Sequence, residues 1–164
     1  RRGITRILSG ARLMNLDLIK NEFGAGIMGL RTAPDAGIVE AKREILIPLL
    51  RFLKEEEEFA CDFLTDLCGV DCLPAVPRFR VVYHLYSCRR KHRLRVKVPL
   101  TEKEPVIDSC LSLWAGADWL ERECFDLFGI IFKGHPNLRR ILLPLDFTGH
   151  PLRKDFPLAG DSEQ

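Results

Sequence analysis

The chain has 164 residues, 46% of them hydrophobic and 29% charged, ordinary values for a single globular domain at roughly 150 residues per domain. No apolar run approaches the roughly 20 residues that cross a bilayer, and the longest, residues 45–50, contains Pro48. A formal net charge of +2 is too small to select a nucleic-acid or membrane partner by total charge.

The start Arg1-Arg2-Gly3 leads into no apolar stretch with a cleavage site, so no signal peptide is expected. The absence of an initiator Met points to a processed, truncated or renumbered chain. Residues 13–23 read as a first helix, with Leu13, Leu16, Ile19 and Phe23 at helical spacing and Gly24 and Gly26 as its stop. Residues 38–44 read as a strand with Glu40, Lys42 and Glu44 on its polar side. A second helix begins near Pro48, a residue suited to a first turn. Leu46, Leu49, Leu50 and Leu53 give it an apolar stripe, and the acidic run 55–58 closes it as a solvated end.

Residues 59–70 are ambiguous, and the spacing of Phe63, Leu64 and Leu67 before Gly69 fits a short helix. The clearest β signal follows. Phe79, Val81, Tyr83 and Leu85 alternate with Arg80, Val82, His84 and Tyr86. After a turn over 87–91, Leu94, Val96 and Val98 alternate with Arg93, Arg95 and Lys97, which predicts an antiparallel hairpin with one buried and one basic face. Pro99 is expected to stop it. Residues 101–105 read as a loop and 106–113 as a strand or short helix. Asp118 followed by Glu121 has the pattern of a capping box. It predicts a helix with Leu120, Cys124, Leu127 and Phe128 as its stripe, Gly129 as its end and a short strand over 130–132. The domain is expected to span 1–132.

Residues 133–164 read as an extended arm. Between Lys133 and Asp155 lie five cations (Lys133, Arg139, Arg140, Arg153, Lys154) and two acids, and prolines at 136, 144, 151 and 157 break regular structure. Leu138, Ile141, Leu142, Leu143, Leu145, Phe147, Leu152, Phe156 and Leu158 make it too apolar for a disordered tail. Such a segment has to lie on something. Its apolar side chains are expected to fill grooves on a partner and its cations to pair with partner carboxylates, although part of it can wrap back over its own domain.

No constellation reads as catalytic. Arg122 and Asp126, four apart, are expected to pair along the helix, and Glu121 and Glu123 point in different directions. The two Gly-His-Pro sequences place His135 and His150 in turns, each expected to order its turn by hydrogen bonding. No further ligands at metal spacing accompany them. Six cysteines, at 61, 68, 72, 88, 110 and 124, form no Cys-x-x-Cys and match no iron–sulfur or zinc pattern, so free thiols are expected. The basic run over 89–97 largely follows strand alternation. It is read as a solvated or partner-facing surface, since sheets that bind RNA interleave aromatics with the bases.

Three stretches resemble the C-type subunit of the bacterial proton-pumping NADH:quinone oxidoreductase (respiratory complex I). That family also takes in mitochondrial counterparts and components of membrane-bound hydrogenases and F420-type dehydrogenases. The stretches are Trp119-Leu-Glu-Arg-Glu-Cys-Phe-Asp-Leu-Phe-Gly129, Gly134-His-Pro-Asn-Leu-Arg-Arg-Ile-Leu142 and Gly149-His-Pro-Leu-Arg-Lys-Asp-Phe-Pro-Leu158. A looser match runs back through Asp66-Leu-Cys-Gly-Val-Asp71 and Tyr83-His-Leu-Tyr86. Cys124 departs from the aliphatic residue usual there.

The resemblance implies an α+β fold, with helices packed on a mostly antiparallel sheet and an extended C-terminal arm. It implies a component of the peripheral arm of the complex, on the cytoplasmic side of the membrane or the matrix side in mitochondria, with no cofactor of its own. The assembled complex would use FMN, iron–sulfur clusters, NADH and quinone. The partners implied are the large D-type subunit that helps form the quinone site and the subunits that carry iron–sulfur clusters. Partner-binding is expected of Glu121, Arg122, Asp126, His135, Leu138, Arg139, Arg140, Ile141, His150, Arg153, Lys154, Asp155 and Phe156. The equivalent component of a hydrogenase or F420-type assembly is the alternative. A basic nucleic-acid module, or a hydrolase using Glu121 or Glu123 with His135, ranks well below both.

Overall fold

A computed structural model describes residues 14–157. The alternation in residues 79–100 forms its spine. Strands β4, Phe79–Ser87, and β5, His92–Leu100, pair antiparallel. Phe79, Val81, Tyr83, Leu85, Leu94, Val96 and Val98 are buried along one face. Strand β3, Phe63–Asp71, joins the free side of β4 antiparallel. On the other side, β2, Gly37–Ala41, pairs parallel with β5, and β1, Ile27–Thr32, pairs antiparallel with β2. The sheet order is β1-β2-β5-β4-β3. Within this five-stranded sheet only the β2–β5 junction is parallel, so the fold is α+β on a mostly antiparallel sheet.

The helices supply the rest of the core. Helix α1, Asp17–Phe23, contributes Ile19, and α2, Leu46–Glu55, contributes Leu46, Leu49, Leu50 and Leu53, all fully buried. Phe52 meets Phe23 edge-on at 5.5 Å and Phe59 at 5.7 Å, within the range at which aromatic pairs attract. Helix α3, Ala117–Phe128, packs on β3. The close approach depends on Gly69, where a Cβ would come within 2.7 Å of the Phe128 ring. Strand β7, Ile131–Lys133, pairs parallel with β6, Val106–Asp108, in a small second sheet. All six cysteines are free, and no described helix is long and apolar enough to cross a membrane.

Several expectations are corrected. Residues 63–71 form strand β3, not a helix. A bulge between Leu64 and Asp66 adds one residue, so Leu64 and Leu67, three apart, both turn inward and imitate helical spacing. Strand β1 leaves no signal in the sequence: Gly29 interrupts it, its burial does not alternate, and it lies at a sheet edge. β2 ends at Ala41, and Arg43–Ile45 form a 3-10 turn into α2. Pro99 does not stop β5. The β2 ladder ends at Lys97, and a proline is tolerated where a strand edge has no partner. The cap residue of α3 is Gly116, with no side-chain cap, so Asp118 and Glu121 form no capping box. Leu13 and Leu158 lie outside the described residues.

Candidate partner-binding site

Three of the five buried residues of helix α3 are charged. Its buried residues are Ala117, Glu121, Arg122, Cys124 and Asp126. Buried charge is costly unless paired and hydrogen-bonded, and each of the three charged groups has partners. Glu121 Oε1 accepts the Cys110 N–H at 2.8 Å and Oε2 accepts the Ser109 hydroxyl at 2.6 Å. Burial pushes its carboxyl up despite these bonds. The Arg122 guanidinium sits over the Trp119 ring at 5.4 Å and donates to the carbonyls of Arg139 and Arg140. It does not pair with Asp126, because that carboxylate is already occupied.

Asp126, fully buried, organises the first half of the arm. Its Oδ2 accepts the consecutive N–H groups of Ile141, Leu142 and Leu143 at 2.9, 2.8 and 3.0 Å, and Oδ1 accepts Arg140 Nη1 at 2.6 Å. Burial alone would raise this carboxyl. The Leu143 amide, the Arg140 guanidinium and the amides of Ile141 and Leu142 reverse that and hold it down at about 2. The other arm of Arg140 donates to the carbonyls of Phe147 and Gly149, each at 2.9 Å, so residues 140–149 close around one guanidinium.

The second half of the arm caps α3. The last carbonyls of a helix lack intrahelical partners. Here His150 Nδ1 lies 2.8 Å from the Asp126 carbonyl, the Leu152 N–H donates to Leu127 at 3.1 Å, and Arg153 Nε donates to Phe128 at 2.7 Å. Gly129, at φ +71°, makes room. A Cβ there would come within 2.5 Å of both Arg153 and His150. His135 is held comparably, with its fully buried ring 3.1 Å from an Asp118 carboxylate oxygen and its Nδ1 accepting the Asn137 N–H at 3.1 Å. Both histidines therefore order turns.

The end of the arm meets a charged cluster that sequence reasoning missed. Arg78 is 4% exposed and bonds Asp71 at 2.9 Å, Asp155 and Glu102. Asp71 also accepts the N–H groups of Leu73 and Lys154, each at 2.9 Å. The Arg78 guanidinium holds the carboxyls of Asp71 and Asp155 below their ordinary range. Lys154 Nζ donates to the Leu73 carbonyl at 2.7 Å. The usable signal is the pairing of Asp71 and Arg78 across the β3–β4 turn, seven residues apart.

The arm thus lies back on its own domain. Arg140, Arg153, Lys154 and Asp155 bond within the chain, and Leu138 packs on the core. Ile141 and Phe156 are half-buried, Phe156 stacking on Phe147 at 6.0 Å. Arg139 is exposed and makes no ion pair among the described residues. Beside exposed charges such as Glu123, Arg139 and Asp146, the arm and α3 turn four large apolar side chains outward: Trp119 (62% exposed), Leu142 (61%), Leu145 (81%) and Leu152 (52%). Contiguous exposed apolar patches, unlike single exposed apolar residues, are surfaces by which proteins commonly meet partners.

An α+β body whose buried charges fix the course of an arm, with apolar side chains displayed along it, defines a component of an assembly. The chain belongs to the family of the respiratory-chain NADH dehydrogenase 30 Kd subunit, whose family model matches residues 39–162. It is 45% identical over 146 residues to the C-type subunit of the NADH-quinone oxidoreductase of Geotalea uraniireducens, covering 89% of this chain and 88% of that one. It is 50% identical over 123 residues to the counterpart from Roseiflexus castenholzii, covering 75% and 71%. Among solved structures it is similar to a trypsin-resistant fragment of Nqo5, with a TM-score of 0.62 at 30% identity, covering 74% of this chain and 97% of the fragment. The fold is shared with a chain of a membrane-bound sulfane sulfur reductase, an archaeal respiratory membrane complex, at a TM-score of 0.70 and 21% identity, covering 87% and 85%. The protein is thus of the complex I type, a component of respiratory electron transport.

Proposed function

We propose that the chain is the scaffold of the C type in the peripheral arm of an NADH:quinone oxidoreductase. It fixes the geometry of a complex that passes electrons from NADH to quinone and couples this to proton translocation. It carries no redox cofactor and has no activity alone. FMN and the iron–sulfur clusters reside in neighbouring subunits. Its arm faces the D-type, quinone-site subunit, and the complex holds it on the cytoplasmic side of the membrane, or the matrix side in a mitochondrion.

The observation that carries this reading is the arm itself. Three successive amides on one buried carboxylate fix its backbone, and the fixed backbone displays Leu142, Leu145 and Leu152 to solvent. A surface held rigid before contact loses less entropy on docking. The test is a gentle affinity purification of the chain from native membranes, with mass spectrometry and an NADH–quinone assay of the eluate. Recovery of quinone-site and iron–sulfur subunits with NADH oxidation is expected. Recovery with a nickel–iron active site and no NADH oxidation would assign the chain to a hydrogenase, and elution of the chain alone would refute the scaffold reading.

A further inference from the structure

The bulge in β3 does more than disguise the strand. Thr65 is the extra residue, with its hydroxyl donating to the His84 carbonyl at 2.9 Å. Beyond it, Asp66 stands directly opposite His84 on β4, and Cys68, two residues along, shares that face. One ligand atom from each of Asp66, Cys68 and His84 lies within 4.8 Å of the others. Asp66 is exposed, while Cys68 and His84 are half-buried. Bulges commonly re-aim side chains at functional positions. Without this one, Asp66 would share the face of Leu64, two residues before it.

We propose that Asp66, Cys68 and His84 form a three-ligand site for a divalent cation of the zinc class on the sheet face turned away from the core. A thiolate, an imidazole nitrogen and a carboxylate oxygen are the donors such a borderline cation takes. Three protein ligands leave a fourth position for water or for a donor from a docked partner. The Asp66 carboxylate uses Oδ1 to accept the Leu67 N–H at 2.9 Å, which leaves Oδ2 for the cation. As the sulfur–metal bond forms, the Cys68 S–H bond breaks and its proton passes to the solvent. The competitor on this face is Arg95, whose Nε lies 3.5 Å from His84 Nδ1, the outer limit of a hydrogen bond. Its firmer anchor is Asp35, at 2.8 Å. The site is separate from the arm and uses none of its residues.

The test is a titration of the full chain with Co(II), a spectroscopic stand-in for Zn(II). One equivalent should produce a thiolate-to-cobalt charge-transfer band, which Zn(II) then removes. Cys68→Ser should abolish the band. Asp66→Asn and His84→Gln should weaken binding by about tenfold or more, while Cys72→Ser and Cys88→Ser leave it intact. A band that survives Cys68→Ser, a band lost in Cys88→Ser, or no band at all overturns the proposal. Alkylation of the unsubstituted chain needs no variant to fold. Zn(II) should slow modification of Cys68 about tenfold and leave Cys88 unaffected, and an unchanged rate at Cys68 overturns the site.

Discussion

Asp126 of helix α3 and Arg140 of the arm meet at 2.6 Å, the carboxylate fully buried and the guanidinium nearly so. The same carboxylate collects three arm amides and the same guanidinium collects two arm carbonyls. The pair is therefore a joint: remove either member, and both the helix and the loop lose their partners.

Asp126→Ala should be the most damaging single change on α3. It leaves Arg140 buried without its carboxylate and strands three amides, and removing one partner of a buried pair costs about 3–5 kcal/mol. Denaturant unfolding should register a loss of that order. Limited proteolysis should show new cleavage within residues 140–149 before the sheet is attacked. A loss below about 1 kcal/mol would mean that the arm does not depend on this joint.

Acid should loosen the same joint. Asp126 in the folded chain is held at about 2 against an ordinary 3.8. A depressed carboxyl stabilises the fold above its unfolded pKa, and that contribution is lost as pH falls from about 4 towards 2. It amounts to about 2 kcal/mol at most. Asp71 is shifted in the same direction by Arg78, so the far end of the arm weakens with it. Stability measured from pH 5 downward should decline over this window, and Asp126→Asn should flatten part of the decline.

Glu121 should behave in the opposite sense. Burial raises its carboxyl, so the fold favours the protonated form, and stability is lost as pH rises through the raised folded value. Glu121→Gln keeps an oxygen for the Cys110 N–H and should be neutral or stabilising at pH 7. Glu121→Ala leaves that buried amide and the Ser109 hydroxyl unpaired and should cost about 1–3 kcal/mol. Thermal melts of the two variants side by side separate charge from hydrogen bonding.

These contrasts show what the sequence could and could not disclose. The β4–β5 hairpin, the α2 stripe and the Gly129 stop were legible because each follows from local periodicity or backbone conformation. Strand β3 was not, since its bulge set Leu64 and Leu67 at helical spacing. The charges of α3 were misassigned for a related reason. Glu121 and Arg122–Asp126 satisfy local helix rules on paper, yet their partners lie at Ser109, Cys110, Arg140 and residues 141–143. Contacts of that separation leave no periodic trace.

Gly129→Ala should uncouple the arm from the end of α3. A left-handed φ costs a residue with a Cβ about 1–2 kcal/mol, and the added carbon would meet Arg153 and His150 at 2.5 Å. The carbonyls of Asp126, Leu127 and Phe128 then lose the groups that cap them. Hydrogen exchange should rise at Leu152, whose N–H is bonded to Leu127, while the amides of the β4–β5 ladder keep their protection.

The outward ridge allows a test of partner contact that spares the fold. Leu145 is 81% exposed and Leu142 61%, so the double change Leu142→Asp and Leu145→Asp removes little buried surface within the chain and should move its own stability by no more than about 0.5 kcal/mol per site. If the arm docks through these residues, two carboxylates placed in an apolar contact should be rejected strongly, because burying unpaired charge costs far more than exposing it. Co-purification of the quinone-site partner should fall sharply with an unchanged melting curve for the isolated chain. Arg139→Ala, at the exposed cation beside the ridge, should weaken recovery less and in a salt-dependent way. Full recovery with the double variant would move the interface off the arm. The basic outer face of β4 and β5 would then be the surface to mutate next, because Arg80 and Lys97 there make no ion pair among the described residues.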